Sequence, residues 1–437
     1  MNDFKNKKVA VIGGGVEGVS SGEYLSNKGA RVTILDKVQG ENYLKELKDF
    51  DLIVRSPGTK LEDLEKHIAK DKITSQTKLF MELCPCKIIG VTGTKGKGTT
   101  SSLIYEMLKK QGFDAYLGGN IGRPPFDFLD NLNTHSIVVL EMSSFQLIDI
   151  TKSPNISVML MMTSEHLDWH KDTEDYINAK RNILRFQTGE DFAVINKDYL
   201  PSRESDIETQ GQVYFVSRVE ECERGCFVKE NALFIRDKGV EEKVINTKDI
   251  LIPGEHNWEN ACSASMAAYL AGVSSQNIAN VLKVFRGLEH RLELTATING
   301  VRYYDDSFAS TPESTIAAVK AFSEPEILIL GGSTKHADFT ELGKTILHSK
   351  NIKAIIGIGV EWERIKEKLV GLSPDVLVLE GAASMKAIVN GAAKLAVDGD
   401  VVLLTPACAS FDMFKNYKDR GDQFKKEVAA LQQNDSN

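Results

Sequence analysis

The sequence predicts an α/β protein built on parallel sheets and divided into three domains. Short apolar runs alternate with helical patterns from end to end, the pattern of strands joined by crossover helices. Two glycine-rich turns, Gly13–Gly18 and Gly90–Gly98, each follow an apolar run and open a helical pattern. The chain has 437 residues, and at roughly 150 residues per domain that length gives two or three domains.

The first block runs to about residue 85. It reads as a strand at Lys8–Ile12, a turn, a helix from Ser20 to Lys28, a second strand at Arg31–Leu35 and a third at Asp51–Val54. The second block has strands at Lys87–Thr92, Ser136–Leu140 and Ile156–Leu160, and closes near Leu292 after a helix around Asn260–Ala271. Residues 210–248 are polar and mixed, and read as short antiparallel strands. Strands at Glu326–Leu330, Lys353–Ile358, Val376–Leu379 and Val401–Leu404 form the third block, which ends on a helix from Tyr417 to Leu431.

Composition narrows the function classes. Hydrophobic residues make up 42% and charged residues 26%, ordinary values for a globular chain. A net charge of -8 argues against a nucleic-acid partner, which leaves a basic footprint. No apolar run approaches the ~20 residues of a membrane span, and Val9–Ile12, after Lys7 and Lys8, is too short for a signal h-region and ends in glycines as a strand does, so a cytoplasmic protein is expected. Six cysteines do not make a disulfide framework. Cys84-Pro-Cys86 and Cys222…Cys226 lack the paired spacing of a zinc site, so reduced thiols are the simpler reading.

The string Gly90-Val-Thr-Gly-Thr-Lys-Gly-Lys-Gly-Thr-Thr100 is the sharpest motif. Glycines let the backbone curl so that its N–H groups face an anion, and the following helix adds its positive end. Lys97 can reach the terminal phosphates of ATP, while Thr99 or Thr100 can offer a hydroxyl to Mg²⁺. Because Gly98 follows Lys97, the string departs from GxxxxGK[ST]. The earlier turn, Gly13-Gly-Gly-Val-Glu-Gly18, fits a dinucleotide fingerprint with Asp36 at the end of the next strand. Glu17, however, puts a carboxylate beside the expected phosphate. Two further strand ends carry Glu141 and His166, and Lys180 follows in a helical run. A lone His or helical Lys is usually structural. Here Lys97, Glu141 and His166 each follow a strand of the same block and should converge, with Glu141 as an oxygen ligand for Mg²⁺.

With these motifs in order, the chain resembles the Mur ligases of peptidoglycan synthesis, which join a carboxylate to an amino acid through an ATP-derived acyl phosphate. The resemblance covers essentially the whole chain. It rests on the phosphate loop, Gly118-Gly-Asn-Ile-Gly122, Glu141-Met-Ser-Ser-Phe-Gln-Leu147, Ser164-Glu-His-Leu-Asp168, Ala179-Lys180, Gly254-Glu-His-Asn-Trp-Glu-Asn260 and His290-Arg291. Asp305-Asp-Ser307, Gly331-Gly-Ser-Thr-Lys335 and Pro406–Gly421 are similar to the D-glutamate-adding branch of that family.

The resemblance implies three domains. These are a Rossmann-like UDP-sugar domain over 1–85, a central P-loop ATPase-type parallel-sheet domain over 86–292, and a Rossmann-like amino-acid domain over 293–437. It implies UDP-N-acetylmuramoyl-L-alanine, D-glutamate, ATP and two Mg²⁺ ions as partners of a monomeric enzyme. Gly93, Thr94, Lys95, Gly96, Lys97, Gly98 and Thr99 would hold the phosphates. Asn257, Asn260, Arg291 and Asp306 would frame the rest of the nucleotide. Thr99 and Glu141 would take one Mg²⁺, and His166 with Lys180, as a carbamate, the second. Asn120, Ser143 and Gln146 would face the muramoyl substrate, and Asp36 the uridine end. Lys335, Ser410 and Tyr417 would receive the glutamate.

Departures from the family pattern are Glu17, Gly98, Met161, Phe308, Ser310 and Tyr417. Folylpolyglutamate synthases share the extra glycine of the phosphate loop but lack the first block. An NAD oxidoreductase built on Gly13–Asp36 leaves the ATP loop unexplained, and a catalytically dead nucleotide binder leaves Lys97, Glu141, His166 and Lys180 without a role.

Overall fold

The computed structural model of the chain describes residues 4–40, 43–333 and 337–434. They form three sheets in two compact units: Met1–Asp249 with Trp258–Lys283, and Ile250–Asn257 with Val284–Asn437.

The first unit holds two sheets. Lys8–Ile12 (β1), Arg31–Leu35 (β2), Leu52–Arg55 (β3) and Ile73–Ser75 (β4) make an all-parallel sheet in the order β2-β1-β3-β4. Val9, Ala10, Val11 and Ile12 are buried, as a strand covered on both faces requires. The first helix begins at Val16, ahead of the expected Ser20. Gly18 packs on the Gly13 carbonyl where any Cβ would collide, so this glycine serves close helix–turn packing rather than a longer turn.

The second sheet has nine strands: Lys87–Thr92 (β5), Ala115–Gly119 (β6), Ile137–Glu141 (β7), Ile156–Met159 (β8), Phe192–Asn196 (β9), Gln212–Ser217 (β10), Gly225–Lys229 (β11), Ala232–Asp237 (β12) and Val240–Asn246 (β13). Their order is β13-β12-β11-β10-β9-β8-β5-β7-β6. Pairing is parallel from β6 through β11 and antiparallel from β11 to β13. The expected antiparallel segment is thus antiparallel only in its second half. There Glu230 and Asn231 both adopt left-handed φ, the conformation a tight hairpin needs. In the first half, β10 buries Tyr214 and Val216 beside β9 and continues the parallel sheet.

The second unit is a six-stranded sheet of Glu293–Ile298 (β14), Val301–Asp305 (β15), Glu326–Gly331 (β16), Ile352–Ile358 (β17), Leu377–Leu379 (β18) and Val401–Leu404 (β19), ordered β14-β15-β19-β16-β17-β18. Only the β14–β15 edge hairpin is antiparallel, turning at Asn299 and Gly300, both with positive φ. Leu328 and Leu330 join a core with Phe339 and Ile346 on one face, whereas Ile327 and Ile329 join Val389 and Phe424 on the other. No described helix is long and apolar enough to cross a membrane.

Candidate active site

The convergence expected for Lys97, Glu141 and His166 follows from strand order. β8, β5 and β7 are neighbours, with β5 in the middle, so the segments leaving their C-terminal ends meet. They are adjacent in the sheet although not consecutive in the chain, because β6 intervenes in sequence and sits at the edge.

After β5 the backbone turns at Gly93 (φ +155) and Gly96 (φ +84), and the helix Lys97–Gln111 starts. A Cβ on Gly93 would lie 2.7 Å from the Leu160 Cβ, and one on Gly96 would collide with the Asn260 side chain. The Thr100 hydroxyl also approaches the Asn260 Oδ1, at 3.4 Å. Thr94 locks the loop to the segment after β8. Its N–H donates to the Met161 carbonyl at 2.7 Å, and its hydroxyl oxygen accepts from the Thr163 N–H at 2.9 Å and the Tyr176 hydroxyl at 3.1 Å. Gly98 is buried and Thr99 half-buried in the first helical turn, where N–H groups have no intrahelical acceptor and can face an anion.

Two lysines meet on one carbonyl. Lys97 Nζ donates to the Gly93 oxygen at 3.0 Å and to the Thr94 oxygen at 3.1 Å. Lys180 Nζ, on the helix Thr173–Arg185, donates to the same Gly93 oxygen at 2.9 Å and stands 4.7 Å from the Tyr176 ring centroid. Lys180 is only 2% exposed. Burial, reinforced by the Lys97 charge, holds its amine well below the usual lysine range.

Glu141 ends β7 and is buried at 6% exposure. Its Oε1 accepts from the Asn120 amide at 2.9 Å, and its carbonyl from the Asn120 N–H at 3.0 Å. His166 takes a left-handed φ of +56, and its ring lies 5.0 Å from Phe145 and 6.4 Å from Tyr176. Lys95 is exposed and pairs with Glu165 at 2.9 Å. Burial pushes the Glu165 carboxyl up, but the Lys95 bond and charge outweigh it and hold the group below its usual range.

Ser143 and Gln146 form a reciprocal capping box on the helix Ser144–Leu147. Gln146 also bonds Glu17, whose carboxyl is pushed up to about 7 by burial against the lowering charge of Arg55. Arg55 is fully buried. It donates to Asp149 Oδ2 at 2.8 Å and to the Phe145 carbonyl at 2.8 Å, tying the four-stranded sheet to the nine-stranded one. Asp36 closes the first glycine turn, accepting from the Gly14 N–H at 2.6 Å.

In the second unit, β15, β19 and β16 are adjacent, so their strand-end segments gather. Ser333 N–H donates to the Ala409 carbonyl at 2.8 Å, and Gly331 N–H to the Pro406 carbonyl at 2.8 Å. Asp306 is buried, accepting from the Thr405 hydroxyl at 2.9 Å and the Leu292 N–H at 3.2 Å, and burial pushes its carboxyl up to about 7. The Arg291 guanidinium stacks 3.9 Å from the Phe308 ring, which meets the Tyr417 ring edge-on at 5.1 Å. Ser410 is buried at 2% exposure, and its carbonyl accepts from the Phe414 N–H at 2.9 Å. The Asn257 amide caps the Pro253 carbonyl at 2.6 Å. Lys335 lies outside the described residues.

Sequence reasoning gave no role to Arg420, which is fully buried. Its guanidinium donates to the carbonyls of Ser307 at 2.8 Å, Cys408 at 3.2 Å and Ala409 at 3.3 Å, joining two of the strand-end segments. The only signal was an arginine inside the Pro406–Gly421 string. Arg55 and Tyr176 were missed for the same reason: their partners are distant in sequence.

Comparison with known proteins identifies the family. A model of the Mur ligase middle domain matches residues 91–268, and a model of the Mur ligase glutamate ligase domain matches 290–408. A UDP-N-acetylmuramoylalanine–D-glutamate ligase of Acetivibrio thermocellus is 40% identical, over 99% of both chains. One of the same name from Clostridium tetani is 37% identical, over 98% of this chain and 99% of its own. Among solved structures, a MurF ligase of Thermotoga maritima in complex with ADP has a TM-score of 0.58 at 16% identity, covering 98% of this chain and 96% of its own. A MurC from the same organism has a TM-score of 0.60 at 15% identity, covering 98% and 100%; both show the shared fold. From matched domain models over most of its length and full-length relatives at this identity, the chain belongs to the Mur ligase family.

Proposed function

We propose that this chain adds D-glutamate to UDP-N-acetylmuramoyl-L-alanine at the expense of ATP, a cytoplasmic step of peptidoglycan synthesis, and that it acts as a monomer. The observation that carries the reading is the pair Lys97 and Lys180 on the Gly93 carbonyl, beside the buried Glu141, at the mouth of a glycine loop that opens a helix.

A carboxylate does not condense with an amine in water without activation. Phosphoryl transfer from ATP converts it to an acyl phosphate with a good leaving group. The amine then attacks the carbonyl and phosphate departs. Lys97 and the helix N-terminus stabilise charge on the moving phosphoryl group. The donor set fits Mg²⁺, which takes hard oxygen ligands: Glu141 supplies a buried carboxylate and Thr99 a hydroxyl at the loop. When bound, the metal ions would neutralise phosphate charge. Lys180 is suited to a carbamate, since a neutral amine is the form that takes up CO₂ and burial favours that form here. The carbamate oxygen would join His166 at the second ion.

We assign residues 1–85 to the UDP-sugar, with Asp36, Asn120, Ser143 and Gln146 toward it. Residues 86–292 take ATP, with Asn257, Asn260, Arg291 and Asp306 around the nucleotide, and 293–437 take the amino acid, with Lys335, Ser410 and Tyr417. The packing of Phe308 between Arg291 and Tyr417 supports an unchanged glutamate preference, because the replaced positions satisfy each other. The test is ATP-dependent phosphate release with UDP-N-acetylmuramoyl-L-alanine and either D- or L-glutamate. The expected kcat/KM favours the D form; preference for L-glutamate, or for a folate acceptor, overturns the assignment.

A further inference from the structure

The pair Cys84 and Cys86 lies outside everything used above. Cys84 caps the helix Gln76–Leu83, and Cys86 immediately precedes β5. Their sulfurs are 3.5 Å apart, in hydrogen-bonding contact, with Pro85 between them. Proline fixes its own φ, so the two sulfurs are held on one side of a short, stiff link. A disulfide needs about 2.05 Å between sulfurs, so closure asks for a shift of roughly 1.5 Å. Access is uneven: Cys84 is 8% exposed and Cys86 is half-buried.

We propose that Cys84 and Cys86 form a two-electron thiol site that takes a small peroxide and closes an intramolecular disulfide. The nucleophile is Cys84. The hydrogen bond shared by the two sulfurs, aided by the Lys152 charge, holds the Cys84 thiol below the usual cysteine range despite burial, while the same contact pushes Cys86 well above it. Its near-complete burial sets the oxidant class, since a peroxide of two oxygen atoms reaches a sulfur that a bulky disulfide cannot.

The Cys84 thiolate attacks one peroxide oxygen and the O–O bond breaks. Cys84 becomes a sulfenic acid, and the departing hydroxide takes up the proton Cys84 gave up, leaving as water. The Cys86 sulfur then attacks the Cys84 sulfur. The S–O bond breaks, and the hydroxide leaves with the Cys86 proton as a second water. Two thiols are oxidised by two electrons and one peroxide is reduced to two waters. Cys222, Cys226, Cys262 and Cys408 are buried thiols, and burial pushes the pKa of Cys222 and Cys408 up to about 12 and raises that of Cys226, so all four should be spared.

The experiment treats the reduced full chain, with chelator present, with stoichiometric hydrogen peroxide, then acid-quenches, alkylates and weighs the peptides. The expected result is a Cys84–Cys86 peptide two hydrogens lighter and unalkylated, with the other cysteines fully alkylated. Cys86→Ser should ligate at the wild-type rate before oxidant and then retain one added oxygen on Cys84. Cys84→Ser should leave Cys86 alkylatable. Oxidation of the pair no faster than of Cys222 or Cys408, or a wild-type product that keeps oxygen without losing two hydrogens, overturns the proposal.

Discussion

Lys180 shows how a single residue is tuned by its surroundings. Its burial and the neighbouring Lys97 charge disfavour the ammonium form, which is what a carbamate requires. Labelled bicarbonate should therefore give a carbamate carbon resonance that disappears in Lys180→Ala. That variant should lose activity by about 100-fold or more while keeping its fold, and added small carboxylates should restore part of it. An unmodified amine in the active enzyme would falsify the carbamate. Glu326 tests burial in the opposite direction. It is fully buried, neither carboxylate oxygen has a hydrogen-bond partner among the described residues, and burial with the nearby Glu324 charge pushes its pKa up to about 8. Because the folded-state value lies above the unfolded one, folding retains a proton that the unfolded chain loses. Stability therefore falls as pH rises from about 4.5 to about 8. Glu326→Gln should gain on wild type by about 5 kcal/mol across that window, read from denaturant melts at each pH; a constant gap contradicts the account. The residues proposed for catalysis stand out in the sequence because their motifs are local strings. Glu326 was not, since nothing adjacent in sequence marks a strand's first residue as enclosed by the sheet.

At the scale of elements, the phosphate loop depends on two glycines rather than on glycine content in general. Gly96→Ala would place a methyl group against Asn260 at a φ of +84. It should cost roughly 1–3 kcal/mol of stability, and should raise the ATP KM more than the KM for either co-substrate. Equal effects on all three would mean a general loosening. Parallel strands buried on both faces were read from sequence almost to the residue: β1, β5 and β19 match their expected bounds. Their unbroken apolar runs are unambiguous. Ala115–Gly119 and Phe192–Asn196 escaped because they are short, with glycines in one and polar flanks on the other. The hairpin β14–β15 was missed because its strands mix polar and apolar residues, as sheet edges do.

For the whole molecule, strand order explains why residues scattered through the sequence form sites. In the first unit β8, β5 and β7 lie side by side; in the second β15, β19 and β16 do. Each set brings its strand ends together, where ligands of such sheets bind. Family motifs made the chemistry legible in advance, whereas sheet order was not, because parallel pairings span tens of residues with no local signal. The central claim is that the chain activates a carboxylate by phosphorylating it. The most direct measurement uses UDP-N-acetylmuramoyl-L-alanine with oxygen-18 in the alanyl carboxylate, together with ATP and D-glutamate. The account expects one oxygen-18 in each released phosphate, carried over from the acyl phosphate when the amine displaces it; unlabelled phosphate formed in step with the ligated product would contradict it.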